Sequence, residues 1–122
     1  MIVNIVHGAA HNTLRVELGP VGIMFVYVVI LIAPLCAMVL TWTKNKRIGF
    51  ALFTFSMAAS FVFGLYNHFV SPGIDNVAHQ PHETWGAIFI LTAWLLLLTE
   101  AAGAIYGMAC LLRFREVRPK SV

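Results

Sequence analysis

The chain has 122 residues, of which 60% are hydrophobic and only 11% charged, and its mean hydropathy is +0.84. That leaves too little polar surface for a soluble globule of this size and predicts a membrane protein, with room for three or at most four helical crossings of roughly 20 apolar residues each. A nucleotide-binding α/β domain does not fit beside such spans, no Gly-rich phosphate loop occurs, and the continuous apolar runs exclude the alternating strands of a transmembrane β-barrel.

In chain order, residues 1–18 interleave apolar positions with Asn4, His7, His11, Asn12, Arg15 and Glu17. This stretch is too polar to span comfortably and predicts an amphipathic interfacial helix, half-inserted at most. Residues 20–42 form the first uncharged span, entered through Gly19-Pro20, with Pro34 expected to kink it. Residues 48–69 form the second span, stopped by Ser71-Pro72-Gly73. A polar connection over 70–84 leads to the third span, 85–112, interrupted by a single charge at Glu100. The basic tail 113–122 closes a single membrane domain covering 1–122. The fold class is therefore all-α: three transmembrane helices plus an N-terminal amphipathic helix.

The net charge of +3 concentrates at two places. Lys44, Lys46 and Arg47 lie in the first connection, and Arg113, Arg115, Arg118 and Lys120 in the tail. Three spans put both clusters on one side, which the positive-inside rule makes cytoplasmic. The N-terminus and the 70–84 connection are then outside, periplasmic if the source is bacterial, and nucleic acid is excluded as a partner. Cys36 and Cys110 both fall inside apolar runs, which favours packing over a disulfide or a thiolate metal site.

This topology sends all five histidines, His7, His11, His68, His79 and His82, to the outer side. His7 and His11 are four residues apart and share a helix face. Asp75 and His79 are also four apart, with His82 and Glu83 close behind, although Pro72 and Pro81 interrupt any continuous helix there. Asp75-x-x-x-His79 resembles, over five residues, the Asp-x-x-x-His part of the copper site in the third subunit of particulate methane and ammonia monooxygenases; Thr92 stands where that pattern has its further histidine.

Helix faces give a separate line of reasoning. Ser56, Ser60 and Gly64 form a small-residue stripe on the second span that continues to His68, and Gly103 and Gly107 form a GxxxG on the third. The third-span face runs back through Glu100, Ala93 and Gly86 to His82, provided the helix starts near Pro81. His68 and His82 are thus the expected primary ligands, with His79, His7, His11, Asp75 and Glu83 as alternates. Imidazoles and carboxylates without a thiolate suit copper, zinc or iron, or a haem held by two histidines, and Met24 offers a soft sulfur. Against this, interfacial histidines also occur as plain surface residues, and Asp75-Asn76 reads equally well as a turn.

Glu100 lies about 22 Å along the helix from Trp85, inside hydrocarbon, where a charge costs several kcal/mol. Its compensation can come from protonation, from a hydrogen bond to Thr54, Ser56 or Thr99, from a basic residue of another subunit, or from a place in a proton or ion path. The run from Thr92 to Thr99 reads as lipid-facing. The sequence therefore predicts a His-rich metal or haem site at the outer face, supporting electron transfer or metal handling. The alternatives are a non-catalytic accessory subunit of a larger membrane complex, in a homo- or hetero-oligomer, and a proton or ion pathway through Glu100. No nucleophile with its base can be assembled, so an enzyme acting alone is not expected.

Overall fold

A computed structural model describes residues 1–81 and 83–116, without the side chains of 115 and 116. Four helices dominate it: α1 (Ile2–Thr13), α2 (Pro20–Thr41), α3 (Lys46–Val70) and α4 (Thr84–Glu116), with a short 3₁₀ turn at Val77–His79. The last three are long and apolar enough to cross a membrane. Among the described residues there is no strand. Arg118 and Lys120 of the basic tail lie outside the described residues.

Two of the spans are irregular for a definable reason. In α2, residues Val26–Ile32 adopt π-helical geometry between α-helical ends, immediately before Pro34. The Ala33 amide donates to the Val28 carbonyl, five residues back. The Val29 carbonyl then falls due to Pro34, which has no N–H. Ser56 supplies the missing donor from α3: its hydroxyl reaches the Val29 oxygen at 2.7 Å. The expected disturbance at Pro34 is thus a π segment bonded across helices. The last turn of α3, Tyr66–Val70, is also π-helical, and the Asn67 side-chain amide donates to the Phe63 carbonyl where the register changes.

The helices approach closely where side chains are small. At Gly49 an added Cβ would lie 2.7 Å from the Thr41 amide nitrogen and 2.9 Å from the Ala37 carbonyl, so α3 meets the end of α2 backbone to backbone. Gly103 packs against Met57, and Gly107 against Thr54 and Phe53. The GxxxG of α4 therefore faces a line on α3 next to the small-residue stripe. Of that stripe, Ser56 turns to α2, Ser60 is buried, and Gly64 borders Glu100.

Helix α1 lies against α4, burying His7 and Ala10. It ends in a Schellman motif: the Val16 amide bonds to the His11 carbonyl, and the Arg15 amide to the Asn12 carbonyl. Arg15 takes the left-handed conformation that this cap requires, with φ of 53°. Val16, folded back by the turn, is buried.

Helix α4 starts at Thr84, three residues after Pro81. Gly86 is required there, because any Cβ would collide with the Pro81 carbonyl. The expected alignment of His82 with Glu100 falls on a residue outside the described ones. Residues Thr92 to Thr99 are not uniformly lipid-facing. Thr92, Ala93 and Leu97 are buried, whereas Leu91, Trp94 and Leu98 are exposed.

Candidate metal centre

Three histidines from two helices meet at the end of the bundle that carries α1. The Nε2 atom of His7 is 3.2 Å from Nε2 of His68 and 3.2 Å from Nε2 of His11. The three rings stack around Phe89 of α4, with His7 and His11 centroids 4.8 and 4.9 Å from the phenyl ring. One possible ligand atom from each histidine falls within 4.8 Å of the others.

The other ring nitrogens decide the tautomers. His11 Nδ1 faces the Val16 carbonyl at 3.1 Å, an oxygen that only accepts and that the Schellman turn has placed there. His68 Nδ1 faces two acceptors of Asp75, the carboxylate Oδ1 at 2.9 Å and the backbone carbonyl at 3.2 Å. His7 Nδ1 is 2.8 Å from the Thr92 hydroxyl oxygen, whose own proton goes to the Ile88 carbonyl at 2.7 Å. Each Nδ1 therefore carries a hydrogen, and the Nε2 atoms of the three rings turn toward one another. Lone pairs 3.2 Å apart repel unless a cation or a proton sits among them.

Burial reinforces this. It pushes the His7 pKa down to about 3, aided by its neighbours His68 and His11. Burial also lowers that of His11, against the opposing pull of the Val16 carbonyl and of Asp75. For Asp75, burial favours the neutral acid, but the hydrogen bond and charge of His68, with His11 and His7 behind, outweigh it and hold the carboxyl below its usual range. The site thus pairs His7 and His11, which burial keeps uncharged, with an ionised Asp75 carboxylate that lies 3.4 Å from His11 Nε2 and 2.9 Å from His68 Nδ1.

The remaining expected ligands stand apart. His79 is exposed and bonded through Nδ1 to the Gly73 carbonyl at 3.0 Å. Asp75 and His79, which share the five-residue resemblance to a copper motif, thus point to different partners. Glu83 is exposed in the turn before α4, and Met24 is 63% exposed on α2, so its sulfur is not part of the cluster. His82, expected as a primary ligand, lies outside the described residues. Cys36 and Cys110 are both free thiols.

Below the histidines is a cavity of about 880 Å³ between α1, α2, α3 and α4. Its polar lining includes Ser60 and Glu100. Glu100 is only 7% exposed and is not hydrogen-bonded to Thr54, Ser56 or Thr99. Those hydroxyls donate instead to the carbonyls of Phe50, Val29 and Leu95.

Thr92 and Phe89 are site residues that the sequence reading missed. A signal was present: Phe89, Thr92 and Ala93, Leu96 and Leu97, and Glu100 follow helical spacing, which puts Thr92 on the face of Glu100. No family of known proteins, no curated protein and no solved structure matches the chain.

Proposed function

We propose that this chain is a small membrane metal-binding protein in which His7, His11 and His68 hold one ion through Nε2, in support of electron transfer or metal handling. The observation that carries the reading is the shared tautomer. Three imidazoles have their Nδ1–H groups engaged by outer acceptors and their Nε2 atoms turned inward, with His7 Nε2 close to both others, the arrangement by which second partners orient metal-ligating histidines. At a metal–nitrogen distance of about 2.0–2.1 Å, tetrahedral ligands are spaced by about 3.3 Å, close to the 3.2 Å separations found here.

Three imidazole nitrogens with a nearby carboxylate suit copper, zinc or iron. The same spacing favours a single ion over haem, whose iron would hold two axial nitrogens about 4 Å apart across a macrocycle. His68 thus keeps its role as a primary ligand, while the partners that support it come from α1. Asp75 acts as the Nδ1 partner of His68 and offsets part of the ion's charge. The site lies on the side that the distribution of basic residues predicts to be external.

Elemental analysis and visible absorption of the native detergent-solubilised protein test the reading. About one equivalent of copper, zinc or iron is expected, with no haem band. A preparation with neither metal nor the ability to take one up would remove it.

A further inference from the structure

The cavity beside the histidines has Ser60 and Glu100 at its other end, and the Ser60 hydroxyl is buried without a hydrogen-bond partner. The π segment Val26–Ile32 of α2 supplies one wall through Val26, Tyr27, Ile30 and Leu31, and just before it Phe25 stacks on Phe63 of α3 with centroids 4.5 Å apart. The space of about 880 Å³ is within the ordinary range for small-molecule sites. Ile30, Leu31, Leu96 and Leu97 supply apolar walls. Ile23 and Tyr27 line it while remaining 45% and 59% exposed, so it opens on the flank of the bundle, where a membrane places hydrocarbon.

At the floor, Ser60 is 1% exposed and its hydroxyl has no hydrogen-bond partner. Glu100 borders the same space, its Oε2 3.6 Å from where a Cβ on Gly64 would stand. An acyl chain or an apolar helix filling the cavity would leave both groups unpaired, at a cost buried polar groups normally avoid. A carboxyl and a hydroxyl can each donate and accept. They complement an occupant with an apolar body and a hydroxyl or carbonyl head.

We infer that this cavity binds a lipophilic alcohol, phenol or ketone drawn from the bilayer, its polar head held by Ser60 and Glu100 and its apolar body against α2 and α4. His7, His11 and His68 also line the upper end of this cavity, but the contacts with Ser60 and Glu100 need no metal, so binding to the metal-free protein reports on the cavity and metal content reports on the histidine centre.

The test uses the full chain in lipid nanodiscs, stripped of metal with a chelator and irradiated with a diazirine-bearing decanol, with adducts mapped by mass spectrometry. Labels are expected to concentrate on residues 23–31, 60–68 and 93–100, to be displaced by decanol, and to resist decane. Ser60→Ala should weaken competition by decanol several-fold, and Ser60→Ala with Glu100→Leu about tenfold or more. Gly64→Leu, which fills the floor from a position with only ordinary contacts, provides a second variant; it should abolish the competed labelling while helix content by circular dichroism stays unchanged. Adducts spread evenly over exposed residues such as Trp94, Leu98 and Ile105, or displaced equally by decane, would overturn the inference. Metal content measured on the same preparation before stripping reports on the histidine centre independently.

Discussion

Nε2 of His7 and Nε2 of His68 face each other at 3.2 Å, although 61 residues separate them in the chain. Neither nitrogen can donate to the other while Thr92 and Asp75 hold the Nδ1 hydrogens. The pair lies where α1, packed against α4, passes the end of α3.

Removing the acceptor for His7 should loosen the site without unfolding it. Thr92→Val keeps the shape of the side chain but takes away the oxygen that fixes the His7 tautomer. Metal affinity is expected to fall by about 10–100-fold, the usual effect of losing such a partner. Competition against a chromogenic chelator measures it, and unchanged affinity would show that the hydroxyl does not orient the ring.

The metal-free protein should lose stability as acid is added. The folded His7 pKa, about 3, is below the ordinary value of 6.5, so between these values the unfolded chain binds more protons than the folded one. Stability is therefore full above about pH 6.5 and declines as the pH falls toward 3, by an amount on the order of 3 kcal/mol at pH 4. The lowered pKa of Asp75 acts in the same direction below the normal carboxyl range. Thermal unfolding in detergent at stepped pH measures the slope. His7→Gln should flatten it, and a slope that persists unchanged in that variant assigns it to other groups.

Pro34 and Ser56 should be coupled. Ser56→Ala leaves the Val29 carbonyl without its donor and is expected to cost about 1–2 kcal/mol. In a Pro34→Ala background a backbone N–H is restored, and the cost of Ser56→Ala should shrink. A double-mutant cycle on unfolding free energies reads the difference directly. Simple additivity would mean that the proline does not create the need for the hydroxyl.

The cap after α1 gives a stabilising change. Arg15 occupies the left-handed region at φ of 53°, where glycine carries no Cβ penalty. Arg15→Gly should raise stability by about 0.5–1 kcal/mol with metal affinity retained. Arg15→Val should lower both, since the same turn places the Val16 carbonyl on His11. Melting temperature and chelator competition on the two variants check the opposite signs.

The apolar runs made the three long helices legible, and their predicted limits differ from the observed ones by a few residues. The pairing of His7 with His11 was legible too, because four residues is one turn wherever a helix forms. What periodicity could not reveal is how one element docks on another. His68 was expected opposite His82, which lies outside the described residues; α1 lays His7 and His11 over Phe89 beside His68. That docking depends on the Schellman turn and on close fit around Ala10, which no spacing along α1 encodes. The π segments were illegible for a related reason: Pro34 announces a disturbance, but its form depends on Ser56, 22 residues on, being in reach of a freed carbonyl. Thr92 was overlooked because its neighbours Leu91, Trp94 and Leu98 do face outward, and one position round the helix separates them from the site.

The central claim is that His7, His11 and His68 jointly hold one ion, and a cobalt(II) titration of the stripped protein in detergent tests it most directly. One equivalent should produce the visible d–d band of a four-coordinate, nitrogen-rich site, and His7→Ala, His11→Ala and His68→Ala should each abolish it, while His79→Ala leaves it intact. A band that survives His7→Ala and His68→Ala together, or its absence from the folded wild-type protein, would contradict the account.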